Sequence, residues 1–329
     1  MLEVGVCGTD KDLCAFEFGD APPGCDYFIL GHESLGEVVE TGGEVRGLQR
    51  GDLVVGVVRL PCRQSGCDPC GAGRQDFCTT GGYRERGIKE LHGFMTEFVV
   101  EQERYLYRLP PELRAVGVLV EPLTIAEKSL IELSAIDGRL GWRRERRRAV
   151  VVGAGPIGLL GAMLLVESGY ETWVYSRSPA PNPKAAIAEA VGARYVSSQE
   201  ESPRSLAARL GAIDVVYEAA GAPQTSFDLL RHMGPNAVFI LTGVPRGIEG
   251  LTLDPYQLSL HLVLRNQVIL GTVNAGPDAF AAAIRDLGAF ERRWPQPLRS
   301  LITARYPLEQ FREPVSGAAG GIKSVVVVG

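Results

Sequence analysis

The sequence predicts an α/β protein of two units, a turn-rich β unit and a doubly wound parallel sheet. Its 329 residues exceed the size at which one core is usual. Before Ala149, short apolar runs are broken by Gly- and Pro-containing turns; after it, strands alternate with helical windows, the pattern of a parallel sheet. Hydrophobic residues at 45% and charged residues at 22% exclude a disordered or fibrous chain. A net charge of -5 gives no field to attract nucleic acid or an anionic membrane, so neither is expected as a partner and small-molecule chemistry is. No apolar stretch reaches the roughly 20 residues of a spanning helix. Met1-Leu2-Glu3-Val4 lacks the cationic and apolar regions of a secretion signal, and the expected location is the cytoplasm.

In chain order, Gly36–Glu40 and Asp52–Val58 read as strands of a first unit placed at residues 1–135. Val118–Leu133 reads as helix, with apolar residues three to four apart after Glu121-Pro122. The run Trp142-Arg143-Arg144-Glu145-Arg146-Arg147-Arg148 could be proposed as a phosphate or nucleic-acid patch, but a charge run directly before a buried strand reads as a solvated linker. The second unit, residues 136–274, shows strands at Ala149–Val152, Thr172–Ser176, Ala193–Val196, Asp214–Glu218, Ala237–Leu241 and Val268–Gly271. Residues 275–329 return to the first unit, with strands at Arg299–Thr303 and Ser324–Val328.

The stretch Val150-Val151-Val152-Gly153-Ala154-Gly155-Pro156-Ile157-Gly158 sets G-x-G-x-x-G between an apolar strand and a helical run. That context favours a Rossmann dinucleotide loop over a ligand-free turn. Gly153 permits the tight turn, Gly155 lets a pyrophosphate approach the backbone, and Gly158 lets helix and strand pack closely. Pro156 and Ile157 open the helix whose N-terminus faces the anion. The next strand ends Ser176-Arg177-Ser178, with no acid to accept from ribose hydroxyls. A carboxylate there would repel a 2′-phosphate that a guanidinium and two hydroxyls can bind, so NADP is the expected cofactor. Dual use of NAD stays open, and a plain surface arginine is the other reading of Arg177.

Four of the seven cysteines crowd into Cys62, Cys67, Cys70 and Cys78, a clustering that favours metal over disulfides in a reducing compartment. Four thiolates in one loop suit a closed, structural zinc site; free thiols are the alternative. A second constellation is dispersed: Cys7, His32-Glu33 and Glu121. Thiolate, imidazole and carboxylate suit a catalytic zinc with an open position, although spacing alone leaves each an ordinary buried residue.

These motifs resemble the zinc-dependent medium-chain alcohol dehydrogenase superfamily through G-V-C-G-T-D at 5–10, G-H-E at 31–33, the cysteine lobe, E-P at 121–122 and G-A-G-P-I-G at 153–158. Within it the chain is most similar to the archaeal-type glucose 1-dehydrogenases, through Asp76-Phe77-Cys78, Arg86-Gly87-Ile88, Gly93-Phe94-Met95, Glu127-Lys128-Ser129 and Gly271-Thr272-Val273-Asn274. The resemblance implies a GroES-like catalytic domain carrying a structural-zinc lobe. It implies a catalytic zinc at Cys7, His32 and Glu33, Glu121 as an exchangeable ligand or near neighbour, and Thr9 relaying the substrate proton. Glu85 falls where the family holds sugar hydroxyls, and Asn274 where it contacts the nicotinamide end of the cleft; a solvated loop acid and a plain turn residue are the other readings.

The chain departs from the family pattern in three places. Cys62 and Cys67 are separated by four residues, with Gln64 where the second cysteine usually stands. Family members carry roughly 30 residues of β structure before G-V-C-G-T-D, whereas this sequence has four, and its N-terminal strands read as missing. No histidine occurs in Val263-Leu264-Arg265-Asn266, and His261 lies one helical turn earlier. The implied activity is oxidation of the anomeric hydroxyl of an aldose, D-glucose first, to a lactone with hydride transfer to NADP, by a homodimer or homotetramer. Two alternatives stand beside it: a dehydrogenase for another sugar, polyol or secondary alcohol, and a catalytically silent zinc- and NADP-binding protein.

Overall fold

The computed structural model describes residues 1–142, 145–245, 253–316 and 320–329; Arg143 and Arg144 of the arginine run lie outside them. Its contacts divide the chain into one unit of Met1–Thr124 with Asn274–Gly329 and a second of Ile125–Val273. The divide runs through the helix Val120–Asp137, so residues 125–135 pack with the second unit, and Asn274 belongs to the first.

The first unit begins with strands β1 (Glu3–Val6), β2 (Glu33–Glu37), β3 (Leu53–Gly56), β4 (Arg59–Leu60), β5 (Arg84–Arg86), β6 (Glu90–Leu91) and β7 (Leu106–Leu109). The second contributes β8 (Arg148–Val152), β9 (Glu171–Ser176), β10 (Arg194–Ser197), β11 (Val215–Glu218), β12 (Val238–Leu241) and β13 (Val268–Gly271). The chain then returns through β14 (Ile302–Pro307) and β15 (Lys323–Val327).

In the first unit a six-stranded sheet runs β14-β15-β1-β2-β3-β7, and a small one runs β4-β5-β6. Val4, Leu35 and Val326 lie fully buried in the large sheet. Strand β2 starts earlier than the expected Gly36, because Glu33 and Ser34 pair with Gly5 and Val4 of β1. A polar dipeptide is thereby recruited into a strand by a partner distant in sequence. At the other end, Arg299 closes a short helix, Pro295–Arg299, instead of opening a strand; Pro295 sits at the helix start, where its fixed φ and missing N–H suit the first turn.

The second unit is one parallel sheet in the order β10-β9-β8-β11-β12-β13, the doubly wound arrangement that opens a crevice where the order reverses beside β8. Val150 and Val151 are fully buried, as strands covered on both faces require. Gly161 lets the helix Pro156–Glu167 approach β11: a Cβ there would lie 2.4 Å from the Tyr217 ring. The described end of the arginine run does more than meet solvent, since Arg147 donates to the Ser168 carbonyl at 2.6 Å and to the Tyr170 hydroxyl at 3.3 Å, tying off that helix. Among the described residues, no helix is long and apolar enough to cross a membrane.

Candidate functional site

Cys7, His32 and Glu33 each offer a ligand atom, and the three lie within 4.8 Å of one another. The local sequence explains how. Cys7 leaves β1 and caps the following helical turn, its sulfur accepting from the Thr9 amide at 3.5 Å and lying 3.7 Å from the Thr9 hydroxyl. Three residues on, buried Asp10 accepts from the Cys7 amide at 2.8 Å and faces His32 Nδ1 at 3.5 Å. With Nδ1 turned to Asp10, the other ring nitrogen is left for a metal, the usual way a carboxylate orients a ligating imidazole. Burial works against charge on His32, but Asp10 and Cys7 outweigh it and raise its pKa well above the ordinary histidine value. Asp10 is a residue that spacing alone did not single out, although it completes the G-V-C-G-T-D motif.

A second residue was invisible in the sequence. Lys323 opens β15 and is buried with its ammonium 2.6 Å from both oxygens of Glu33 and 3.1 Å from the carbonyl of Val6. One cation thereby ties the strand leading to Cys7 to the strand that follows His32. Gly5 makes room for this arrangement: a Cβ there would sit 2.1 Å from Glu33 Oε2. Burial opposes the charge on Lys323, yet Glu33, Cys7 and Glu121 hold its pKa above the usual lysine value. A metal would therefore have to share the Glu33 carboxylate with this ammonium. Glu121, half-buried at the start of its helix, stands outside the 4.8 Å group. Loss of surrounding water pushes its carboxyl up to about 7, with Glu33 and Asp10 pushing the same way against His32 and Lys323.

The donor set fits a catalytic zinc, a borderline ion that takes thiolate, imidazole and carboxylate together, with fewer than four gathered ligands and an orienting carboxylate behind the histidine. The cysteine lobe fits a structural one. Sulfurs of Cys62, Cys67, Cys70 and Cys78 fall within 4.8 Å of one another, including Cys67 and Cys78 at 3.8 Å. The long Cys62–Cys67 interval is absorbed by a loop in which Gly66 takes a φ of +92°. Amide donation from Cys70 and Thr79 brings the Cys67 thiol down to about 6, while burial sends Cys70 up to about 12. Four thiolates this close would repel one another, and a cation among them is what lets all four ionise together.

Glu85 and Asn274 are also brought together in the first unit. Glu85 is buried, paired with Arg59 at 3.0 Å, and accepts from Asn274 Nδ2 at 2.6 Å. Asn274 holds a φ of +59°, the left-handed region that asparagine tolerates better than most residues.

In the second unit, Gly153 adopts φ +104° at the end of β8, where a Cβ would meet Ala220 at 2.9 Å, and a Cβ on Gly158 would lie 2.2 Å from the Gly153 carbonyl. Gly155 caps the helix opened by Pro156 and Ile157, and nothing lies within 4 Å of where its Cβ would be, which leaves the helix N-terminus open to an anion. Ser176 ends β9 half-buried, with Arg177 and Ser178 exposed beyond it. Their carbonyls are anchored, Arg177 by the Ser197 hydroxyl at 2.9 Å and Ser178 by the Tyr195 hydroxyl at 2.8 Å, while no described carboxylate pairs with the Arg177 guanidinium.

Two family models match the chain. One described as the alcohol dehydrogenase GroES-like domain covers residues 1–111, and one described as the glucose dehydrogenase C-terminus covers residues 114–328. Glucose 1-dehydrogenase of Methanocella arvoryzae is 39% identical over 329 residues, spanning 100% of this chain and 91% of that protein. Glucose 1-dehydrogenase 1 of Caldivirga maquilingensis is 39% identical, spanning 99% and 89%. Among solved structures, Haloferax mediterranei glucose dehydrogenase in complex with NADP, Zn and gluconolactone matches with a TM-score of 0.89 at 32% identity, over 100% of this chain and 90% of that one. The chain belongs to the glucose dehydrogenase family of the zinc-dependent medium-chain alcohol dehydrogenase superfamily.

Proposed function

We propose that this chain oxidises the anomeric hydroxyl of an aldose, D-glucose first, to the lactone, passing hydride to NADP. The observation that carries the reading is the Cys7, His32 and Glu33 group with Asp10 behind the imidazole. When bound, zinc supplies a Lewis acid that lowers the pKa of the substrate hydroxyl, and NADP accepts the hydride. Cys7, His32 and Glu33 would hold the metal, with Glu121 as an exchangeable ligand or near neighbour, and the Thr9 hydroxyl, next to Cys7, relays the substrate proton, accepting it as its own proton is passed on. Glu85 and Asn274 hold further sugar hydroxyls. Gly153, Gly155 and Gly158 with Pro156 and Ile157 seat the pyrophosphate, while Ser176, Arg177 and Ser178 receive the 2′-phosphate. Cys62, Cys67, Cys70 and Cys78 hold a second zinc that staples the lobe. The first unit is thus the catalytic domain and the second the NADP domain.

The test is the absorbance of reduced nicotinamide when D-glucose and NADP are added, before and after a chelator. A rise with glucose that the chelator stops is expected. Equal rates with propan-2-ol would favour the general alcohol dehydrogenase reading, and a flat trace from zinc-loaded, NADP-bound protein would favour the silent one.

We also infer a homo-oligomer and, from the four-thiol lobe, a reducing cytoplasmic setting. Strand β13 ends its sheet, and in the preceding helix, Pro255–Leu264, Tyr256, Val263 and Leu264 are 71%, 74% and 71% exposed. An open strand edge with neighbouring apolar side chains fits a second copy of the same chain. Light scattering should give a mass of two or four chains; a single-chain mass would overturn this.

A further inference from the structure

We propose that Arg59 is a positioning residue for substrate selectivity, fixing Glu85 so that one carboxylate oxygen is presented to a polyhydroxylated substrate. The inference rests on the sugar reading above. Strands β4 and β5 set Arg59 directly opposite Glu85, and both are nearly buried, at 7% and 5% exposure. Arg59 Nε donates to Oε1 at 3.0 Å, and the same oxygen accepts from Asn274 Nδ2 at 2.6 Å. The other oxygen, Oε2, takes no hydrogen bond from any described residue.

Arginine–carboxylate pairs are frequently bidentate, using both oxygens. Here the guanidinium approaches from one side and spends its remaining contacts on holding itself in place. Its plane covers the Tyr83 ring, 3.7 Å from the centroid, and Nη1 donates to the Asp76 carbonyl at 3.3 Å. Two fixed donors therefore lock one oxygen of Glu85, and the second is left as an acceptor of set direction, which is what recognition of a hydroxyl requires. A buried ion pair is a weak source of stability compared with apolar side chains of the same volume, so its use here is better matched to orientation. Asp76 lies between Cys70 and Cys78, which links the cysteine lobe through Arg59 to the substrate acceptor.

The test compares R59M, R59K, E85Q and R59M/E85Q on D-glucose and on propan-2-ol, all loaded with zinc and NADP. The expected result for R59M is a KM for glucose raised about tenfold or more, with kcat and the propan-2-ol kcat/KM held within about twofold. R59K should restore part of the loss, since it keeps the charge without the planar fork. The double variant should be no worse on glucose than E85Q alone. Equal losses on both substrates, or losses that add in the double variant, would overturn the role of Arg59 while leaving the sugar reading intact. A wild type that shows no preference for glucose would overturn the sugar reading itself, and this inference with it.

Discussion

The cysteine lobe and the Cys7 centre are both clusters of metal-ligating side chains in one unit, yet they are built in opposite ways. The lobe takes all four thiols from residues 62–78 and is nearly closed on itself. The Cys7 centre draws on Cys7, on His32 and Glu33, and on neighbours as far apart as Asp10, Glu121 and Lys323, and wraps its ligands in buried ion pairs. Four equivalent soft donors leave a metal no free position, whereas a mixed set with one carboxylate shared with an ammonium leaves room for a substrate oxygen. A local cluster secures a loop; an assembled one supports chemistry.

The largest expected effect separates the two centres. His32→Ala should lower kcat for glucose by about a thousandfold or more, the loss of several kcal/mol of Lewis-acid stabilisation, while urea unfolding stays cooperative. Cys70→Ser should do the reverse, lowering unfolding free energy by more than about 4 kcal/mol, the range reached when a metal site is lost, with turnover per folded chain little changed. If Cys70→Ser instead abolishes turnover in fully folded protein, the division of labour is wrong.

Next in size is the clamp that distinguishes the Cys7 centre. Lys323→Met strands a buried carboxylate and should cost the metal-free chain about 3–5 kcal/mol. Adding Glu33→Gln should recover most of that loss. Additive losses in the double variant would mean that the pair is not coupled.

Arg177→Asp tests whether the second unit's selectivity is as local as the lobe's. Loss of a charged hydrogen bond is worth about 1.5–3 kcal/mol, so kcat/KM for NADP should fall roughly ten- to hundredfold, with NAD far less affected. A wild type that already uses NAD better would reject the assignment.

The smallest effect is in pH. The raised values at His32 and Glu121 mean that the folded, metal-free chain holds protons the unfolded chain would release. The stability from Glu121 is present below its ordinary range and is lost as pH rises through about 7. His32 contributes in the same direction, its share being lost as pH rises from the ordinary histidine range upward. The melting temperature of metal-free protein should therefore fall as pH rises from mildly acid to mildly alkaline, and zinc uptake should release protons. A flat profile would show that these groups are not coupled to folding.

Legibility from sequence follows the same contrast. The parallel sheet could be read almost to the residue because strands such as Val150–Val152, buried on both faces, appear as unbroken apolar runs. The lobe was legible because its ligands are neighbours. The Cys7 centre was only partly so: Glu33 sits in a strand whose expected run begins only at Gly36, and Lys323 pairs with it from the far end of the chain. No periodicity encodes a contact of that separation. Arg59 was missed for a related reason, because its partner Glu85 becomes visible only when β4 and β5 are set in register.

The central claim is that one metal is structural and the other reactive, and zinc per folded chain measured beside NADP-dependent glucose oxidation tests it most directly. The account predicts two zinc ions and activity in the wild type, one zinc and retained activity per folded chain in Cys70→Ser, and one zinc with no activity in His32→Ala. A single zinc in fully folded, active wild type, or glucose oxidation surviving in His32→Ala, would contradict it.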